Sequence, residues 1–400
     1  MSKWQSKRLA ELGSAIFSEV AQWKREVQAG GIDVIDLGIG SPDRGPSDRV
    51  RAALAEAVSD PGQYGYPTSE GSLLFRQTVA KWYRHRFGVE LDPEREVVTL
   101  MGSQDGLAHL AMAVTDPGDT VMVPDPGYPI YAASLVLAGV EPYFLPLRAE
   151  NGFLPQLGEI PEETARRAKF ILLNYPSNPL SAVATRPFFE ELVRFAKRHD
   201  LLIVHDVAYS EMAYDGFRPP SILEVEGAKE VAVEFHSLSK SFNMAGCRIA
   251  FMVGQPDAVQ ALRILKSNID YGVFLPVQRA GIAALEEDME PGSVSVAGLY
   301  ERRRDLVVDG LRAAGWELPK PQATMFIWAP IPPGWTSRQI SREMLYSAGV
   351  VVIPGDAFGR EGEGYVRIAL VQEEDRLQEA VRRIGAFLQG AGQRPDTNSQ

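Results

Sequence analysis

The sequence predicts an α/β fold: a large domain with a mostly parallel sheet between helices, and a smaller α+β domain beside it. Two observations lead there. Short apolar runs bounded by turn residues alternate with amphipathic stretches along most of the chain, the pattern of buried strands and covering helices. After about residue 285 that alternation gives way to a long charged helix and a few short strands.

The apolar runs are Val97–Met101, Thr120–Val123, Phe170–Leu173, Leu201–Val204, Val231–Phe235 and Ile249–Val253. Ser72 is placed to cap a helix running to Phe87, with Phe75, Val79 and Tyr83 at a spacing of four and Gly88 as its stop. Thr185 is placed to cap the next, with Pro187 in the first turn and Leu192, Phe195 and Ala196 on the inner face. Helices between successive strands imply parallel neighbours covered on both sides. Further on, a charged helix over Val294–Leu311 precedes strands at Thr324–Ala329, Val350–Ile353 and Tyr365–Val371 and a helix ending near Leu388. The domain reading is therefore 47–285 for the large domain, 1–46 with 286–390 for the small one, and 391–400 as a polar flexible tail.

Composition narrows the function. With 45% hydrophobic and 23% charged residues the chain can bury a sizeable core. The balance of 41 basic against 52 acidic residues, −11 overall, argues against nucleic acid as a partner. One cysteine, Cys247, can build neither a disulfide framework nor a cysteine metal site, so no metal is expected and a reducing, cytoplasmic location is. The N-terminus lacks the apolar core of a signal peptide, and no stretch is apolar enough to cross a bilayer.

The stretch richest in chemistry is His236-Ser237-Leu238-Ser239-Lys240-Ser241-Phe242-Asn243-Met244-Ala245-Gly246-Cys247-Arg248, set between two apolar runs. A Schiff-base lysine needs a lowered pKa, which a partly desolvated pocket holding other cations supplies. The hydroxyls and Arg248 suit a phosphate. On these residues alone, a solvated loop lysine fits as well. Gly102-Ser103-Gln104 follows an apolar run and opens a helix, where free backbone N–H groups favour an anion. No Gly-x-Gly-x-x-Gly or Gly-Lys-Ser/Thr follows, so it is not a nucleotide loop.

Ser237-x-Ser239-Lys240 with Arg248 eight residues on resembles the cofactor-lysine motif of the class I/II aminotransferases. Four other segments resemble that family's motifs and stand in its order. They are Leu37-Gly38-Ile39-Gly40-Ser41-Pro42-Asp43, Asn174-Tyr175-Pro176-Ser177-Asn178-Pro179, His205-Asp206-Val207-Ala208-Tyr209 and Tyr365-Val366-Arg367-Ile368. The resemblance covers residues 10 to 388 and implies the PLP-dependent transferase fold type I, with pyridoxal 5'-phosphate (PLP) as cofactor. It is nearest to the LL-diaminopimelate aminotransferase-like subgroup, on Ser103-Gln104-Asp105-Gly106-Leu107-Ala108-His109, Asn243-Met244-Ala245-Gly246 and Ser267-Asn268-Ile269-Asp270-Tyr271-Gly272-Val273-Phe274.

What the resemblance implies for each residue follows. Lys240 is the Schiff-base lysine and proton shuttle. Asp206 partners the pyridine nitrogen, while Tyr209 and Asn178 bond the phenolic oxygen. Ser103, Gln104, Ser237 and Arg248 surround the phosphate, and Tyr128 stacks on the ring. Tyr66 reaches the phosphate of a neighbouring subunit, which implies a homodimer with shared sites. Arg367 grips the substrate α-carboxylate, and Gly40 brings backbone close to it. The implied reaction is ping-pong transfer of an α-amino group to a 2-oxo acid, 2-oxoglutarate being the expected acceptor. Donors of the LL-diaminopimelate type, aspartate or alanine, and aromatic amino acids stay open. An apolar wall for aromatic donors is expected from Tyr271, Val273 and Phe274 if they face the site. A PLP-dependent carbon–sulfur β-lyase and, more remotely, a non-catalytic PLP-sensing protein are the alternatives. Two departures stand out. Leu180-Ser181 replaces the usual Thr-Gly after the Asn-Pro loop, which is expected to alter the loop under the substrate. Cys247 replaces the usual tryptophan before the arginine, which is expected to open space near the phosphate.

Overall fold

The computed structural model describes residues 4–12 and 15–391, so the expected tail beyond Ala391 lies outside the described residues, as do the first three residues of the N-terminus. Among the described residues twelve strands form three sheets. In chain order they are β1 (Ile35–Asp36), β2 (Val97–Leu100), β3 (Thr120–Asp125), β4 (Glu141–Pro146), β5 (Ala168–Asn174), β6 (Leu202–Asp206), β7 (Ala232–Ser237), β8 (Ala250–Gly254), β9 (Phe326–Pro330), β10 (Val350–Val351), β11 (Ile353–Pro354) and β12 (Tyr365–Ala369).

The large sheet has the order β2-β8-β7-β6-β5-β3-β4. From β7 to β4 all neighbours are parallel, and only β8 runs against its two neighbours. Both faces are covered. Along β5, Phe170 and Leu172 join one core with Leu107, Leu110, Tyr131 and Leu135. Ile171 and Leu173 join the opposite core with Val79, Leu192 and Ala196. Each such side chain taken out of water contributes roughly 1.5–3 kcal/mol. Unbroken apolar runs therefore require helices on both faces.

Ser72 caps the helix Leu73–Phe87 by accepting the Phe75 N–H at 3.3 Å, and Gly88 ends it in the left-handed region at φ 68°. Four expectations need correction. Thr185 precedes the helix Arg186–His199 but makes no side-chain cap bond. Pro187 at the second helical position removes one of the two amides such a cap uses. The charged helix runs Ala297–Ala313 and starts later than expected, because the Ser295 hydroxyl accepts the Ala297 N–H at 3.1 Å. The run Val350–Ile353 divides, with β10 pairing parallel to β1 and β11 antiparallel to β12. Finally, β4 has no counterpart among the apolar runs. It carries two prolines and lies at the sheet edge, where a missing N–H costs no ladder bond.

The β1–β10 pair ties the N-terminal segment to the C-terminal part of the chain. There Ile35, Leu37, Val308, Ile327, Val350 and Ile368 share one core. Three central parallel strands end on polar residues, Asn174, Asp206 and Ser237, at the carboxyl edge where such sheets bind ligands. No described helix is long and apolar enough to cross a membrane.

Candidate active site

A cavity of about 590 Å³ opens at that edge, bounded by the Gly38–Ser41 segment and Arg367 on the far side. Eleven of the twelve residues singled out in the sequence line it: Gly40, Ser103, Gln104, Tyr128, Asn178, Asp206, Tyr209, Ser237, Lys240, Arg248 and Arg367. A larger groove of about 750 Å³ beside Trp335 and Phe387 has no such convergence, since its charged residues Glu379, Arg382 and Arg383 already pair together.

Lys240 sits in the short helix Leu238–Ser241, which leaves the end of β7. The Ser237 hydroxyl caps that turn by accepting the Ser239 N–H at 3.2 Å. The Lys240 ammonium donates to the Gly40 carbonyl. Desolvation, then the charges of Arg367 and Arg248, push its pKa down to about 8, against a smaller opposing pull from Asp206. Lys240 thus lines the cavity from a helical turn instead of standing on a solvated loop.

Asp206 ends β6 and is buried. Desolvation raises its pKa against the Tyr131 hydrogen bond. Its Oδ2 accepts the Tyr131 hydroxyl at 2.9 Å, while its Oδ1 is buried with no partner. A buried acceptor left unpaired costs about 1–3 kcal/mol, and Asp206 lines the cavity, so its carboxyl has an acceptor to spare for a bound donor. Asn174, at the end of β5, holds the Asp206 carbonyl at 2.8 Å and takes the Asn178 N–H at 2.7 Å. Burial pushes the hydroxyls of Tyr209 and Tyr128 up, so both stay protonated donors.

At the other end, Gly102 precedes the helix Ser103–Val114 with φ 92°. A Cβ on Gly102 would lie 2.2 Å from Arg248 Nη2. Only glycine lets the guanidinium approach this helix N-terminus. Free backbone N–H groups, the Ser237 hydroxyl and Arg248 thus converge as an anion site. Cys247 does not line the cavity. It packs against the core that includes Leu238 and Met244. Burial raises its thiol, which disfavours a nucleophilic thiolate.

Arg367, on β12, is buried between Phe326 and Phe358, with its guanidinium 4.3 and 4.8 Å from the ring centres. It donates to Asn178 Oδ1 and to the Gly38 carbonyl, each at 2.8 Å, and its Nε has no partner. Desolvation pushes its pKa down to about 10. Neither bonded partner is anionic, so a buried positive charge stands ready for a carboxylate. A Cβ on Gly40 would meet the Phe326 ring at 3.1 Å, so any larger residue would press on that ring. Leu180 and Ser181 are both buried, and the Ser181 hydroxyl donates to the Phe326 carbonyl at 2.8 Å, tying this loop to β9.

Tyr66 is the residue left out: it is 91% exposed, outside this chain's cavity, with its ring 5.7 Å from that of Tyr271. The apolar wall expected from Tyr271, Val273 and Phe274 is also absent from the cavity. Val273 turns into the core, while Tyr271 and Phe274 are exposed beside Tyr66 and Tyr64. Sequence reasoning missed Tyr131, Phe326 and Phe358. Tyr131 alone left a signal, since it stands three residues after Tyr128 at the start of the helix Ile130–Ala138.

Comparison with known proteins identifies the family. The profile of the family described as "Aminotransferase class I and II" matches residues 32–384. The LL-diaminopimelate aminotransferase of Moorella thermoacetica is 49% identical over 384 residues, 96% of this chain and 98% of that protein. The protein of the same name from Desulforudis audaxviator is 50% identical over 388 residues, 97% and 99% of the two chains. Among solved structures, substrate-bound BacF from Bacillus subtilis superposes with a TM-score of 0.90 at 36% identity, covering 96% of this chain and 98% of the other.

Proposed function

The chain belongs to the class I and II aminotransferases, PLP-dependent enzymes that move an amino group from an amino acid to a 2-oxo acid, and from that premise we propose LL-diaminopimelate-type donors with 2-oxoglutarate as acceptor. The names of the relatives at 49% and 50% identity support the donor class. The observation that carries the site assignment is the unpartnered Asp206 Oδ1, buried in the same cavity as Lys240 and Arg367. A protonated pyridine nitrogen is the donor such an oxygen lacks, and the Gly102–Arg248 anion site suits the phosphate, so these residues fit PLP.

When bound, PLP supplies the electron sink that makes the α-hydrogen of an amino acid acidic. The Lys240 amine takes the proton from the substrate α-carbon and later returns one, which its lowered pKa of about 8 suits. Asp206 holds the proton on the ring nitrogen. Tyr209 donates its hydroxyl to the phenolic oxygen. Asn178 has Oδ1 engaged by Arg367, so its NH2 is the group left to donate there. Ser103, Gln104, Ser237 and Arg248 bind the phosphate, and Tyr128 lies against the ring. Arg367 fixes the α-carboxylate, and the backbone at Gly40 closes over it. A cytoplasmic location belongs to the same reading, supported by the single free thiol of Cys247.

A panel of donors tests the substrate class. PLP-loaded enzyme mixed with LL-diaminopimelate should convert to pyridoxamine phosphate in one turnover, read by absorbance, and 2-oxoglutarate should reverse it. Faster conversion by aspartate, alanine or phenylalanine would reject the diaminopimelate donor. Conversion by amines lacking an α-carboxylate, and by no α-amino acid, would reject the role of Arg367.

The exposed Tyr66 supports a homodimer in which each chain lends this hydroxyl to its partner's phosphate. Tyr66→Ala and Lys240→Ala proteins, each impaired alone, should regain activity when mixed under subunit exchange. A full random exchange makes about a quarter of all sites intact. No recovery, with exchange verified by mass, would reject sharing.

A further inference from the structure

On the sheet face opposite Asp206 lies a buried polar cluster that the reaction does not use. Glu234 on β7 is fully buried, and its cross-strand neighbour on β6 is His205. Glu234 Oε1 accepts from His205 Nδ1 and from the Ile222 N–H, each at 2.8 Å. Its Oε2 accepts the Ser221 hydroxyl at 2.6 Å and the Tyr83 hydroxyl, with His236 Nε2 at 3.5 Å. The second nitrogen of His205, Nε2, lies 3.0 Å from the backbone carbonyl oxygen of Tyr175.

A carbonyl oxygen only accepts, so Nε2 of His205 is the donor to Tyr175. Nδ1 shares a proton with Glu234 Oε1, which anchors the ring on β7. Hydrogen bonds and charge from His205 and His236 hold the Glu234 carboxyl well below its usual range against desolvation.

Tyr175 opens the segment Tyr175-Pro176-Ser177-Asn178-Pro179, whose Pro176 carbonyl and Asn178 N–H are held by Asn174. Asn178 at its far side accepts from Arg367 at 2.8 Å. We infer that His205 is a positioning residue: anchored on Glu234, its Nε2–H holds the Tyr175 carbonyl where the segment leaves β5 and so, together with Asn174, keeps Asn178, and through it Arg367, in the substrate-binding geometry. The inference rests on the carboxylate-binding role proposed for Arg367.

Two measurements test it. In holoenzyme labelled with 15N at histidine, His205 is identified by through-space contact with the Phe189 ring, 5.0 Å away between centres. Its Nε2 should carry a proton, the donor that the Tyr175 carbonyl requires. A ring protonated on Nδ1 alone would overturn the inference, whether or not any variant folds. The second measurement uses His205→Phe combined with Glu234→Gln, so that removing the ring leaves no buried charge alone. KM for the amino-acid donor should rise about tenfold with kcat and PLP binding little changed, the mark of a displaced Arg367. An unchanged KM overturns the positioning role. Arg367→Lys runs alongside: if it too leaves KM unchanged, the fault lies in the role given to Arg367, and the positioning claim falls with it.

Discussion

Replacing Lys240 by alanine should lower amino transfer by about 10,000-fold while PLP still binds. The size follows from what else lines the cavity. The other cations are Arg248 and Arg367, and a guanidinium does not give up its proton to act as a base. Tyr128 and Tyr209 are pushed up by burial and do not ionise near neutrality. No neighbour can therefore stand in for the amine. The anion site of Gly102, Ser237 and Arg248 is untouched by the change, so the cofactor should survive gel filtration and be seen by absorbance. Turnover within tenfold of the parent would sink the assignment, as would borohydride labelling of a different lysine in the parent enzyme. The lowered pKa adds a pH test. The neutral amine is the reactive form, and a pKa of about 8 leaves roughly a tenth of Lys240 neutral at pH 7. An ordinary lysine would have about 0.03%. Capture of PLP by the cofactor-free protein should therefore quicken with pH and level off above about 8.

Most of this candidate site was legible because the polar groups that meet at the cavity sit at fixed distances from strand ends. Asp206 and Ser237 are each the last residue of a strand, and Lys240 follows three residues later, so short motifs carry their placement. Phe326 and Phe358 left no such trace. They are ordinary core residues in type, and they meet Arg367 only because β9, β12 and the turn after β11 fold against one another. Tyr271 and Phe274 lie outside this chain's cavity: Gly272 packs its backbone against Thr68, and the two rings are exposed beside Tyr66 and Tyr64. The edge strand β4 was hidden by its prolines, since half-exposed edges need neither apolar runs nor every amide.

The second large effect is expected at Asp206. Asp206→Asn should cut turnover by about 1,000-fold, because the change acts on the carboxyl that keeps an unpartnered oxygen in the cofactor-free chain. The Tyr131 hydroxyl still needs an acceptor, so the amide oxygen takes the place of Oδ2 and the NH2 group faces the cavity. Two donors then oppose each other where a carboxylate met an N–H, and the ring nitrogen loses its proton and much of its electron-withdrawing power. Tyr131→Phe leaves the charge in place and should cost no more than about tenfold. Stability should move the other way. Burial raises the Asp206 pKa in the folded chain, so the folded state binds that proton more tightly than the unfolded one. Its contribution to stability is present below the ordinary carboxylate range and is lost as pH rises through the raised value. Above that raised value the cofactor-free parent carries a buried charge that the asparagine variant lacks. The variant should melt no lower than the parent without PLP, yet gain less on adding it, since ligand stabilisation follows affinity. Thermal melts with and without PLP, beside single-turnover rates, separate the two effects. A variant that turns over within tenfold of the parent, or gains as much from PLP, would remove Asp206 from the ring nitrogen.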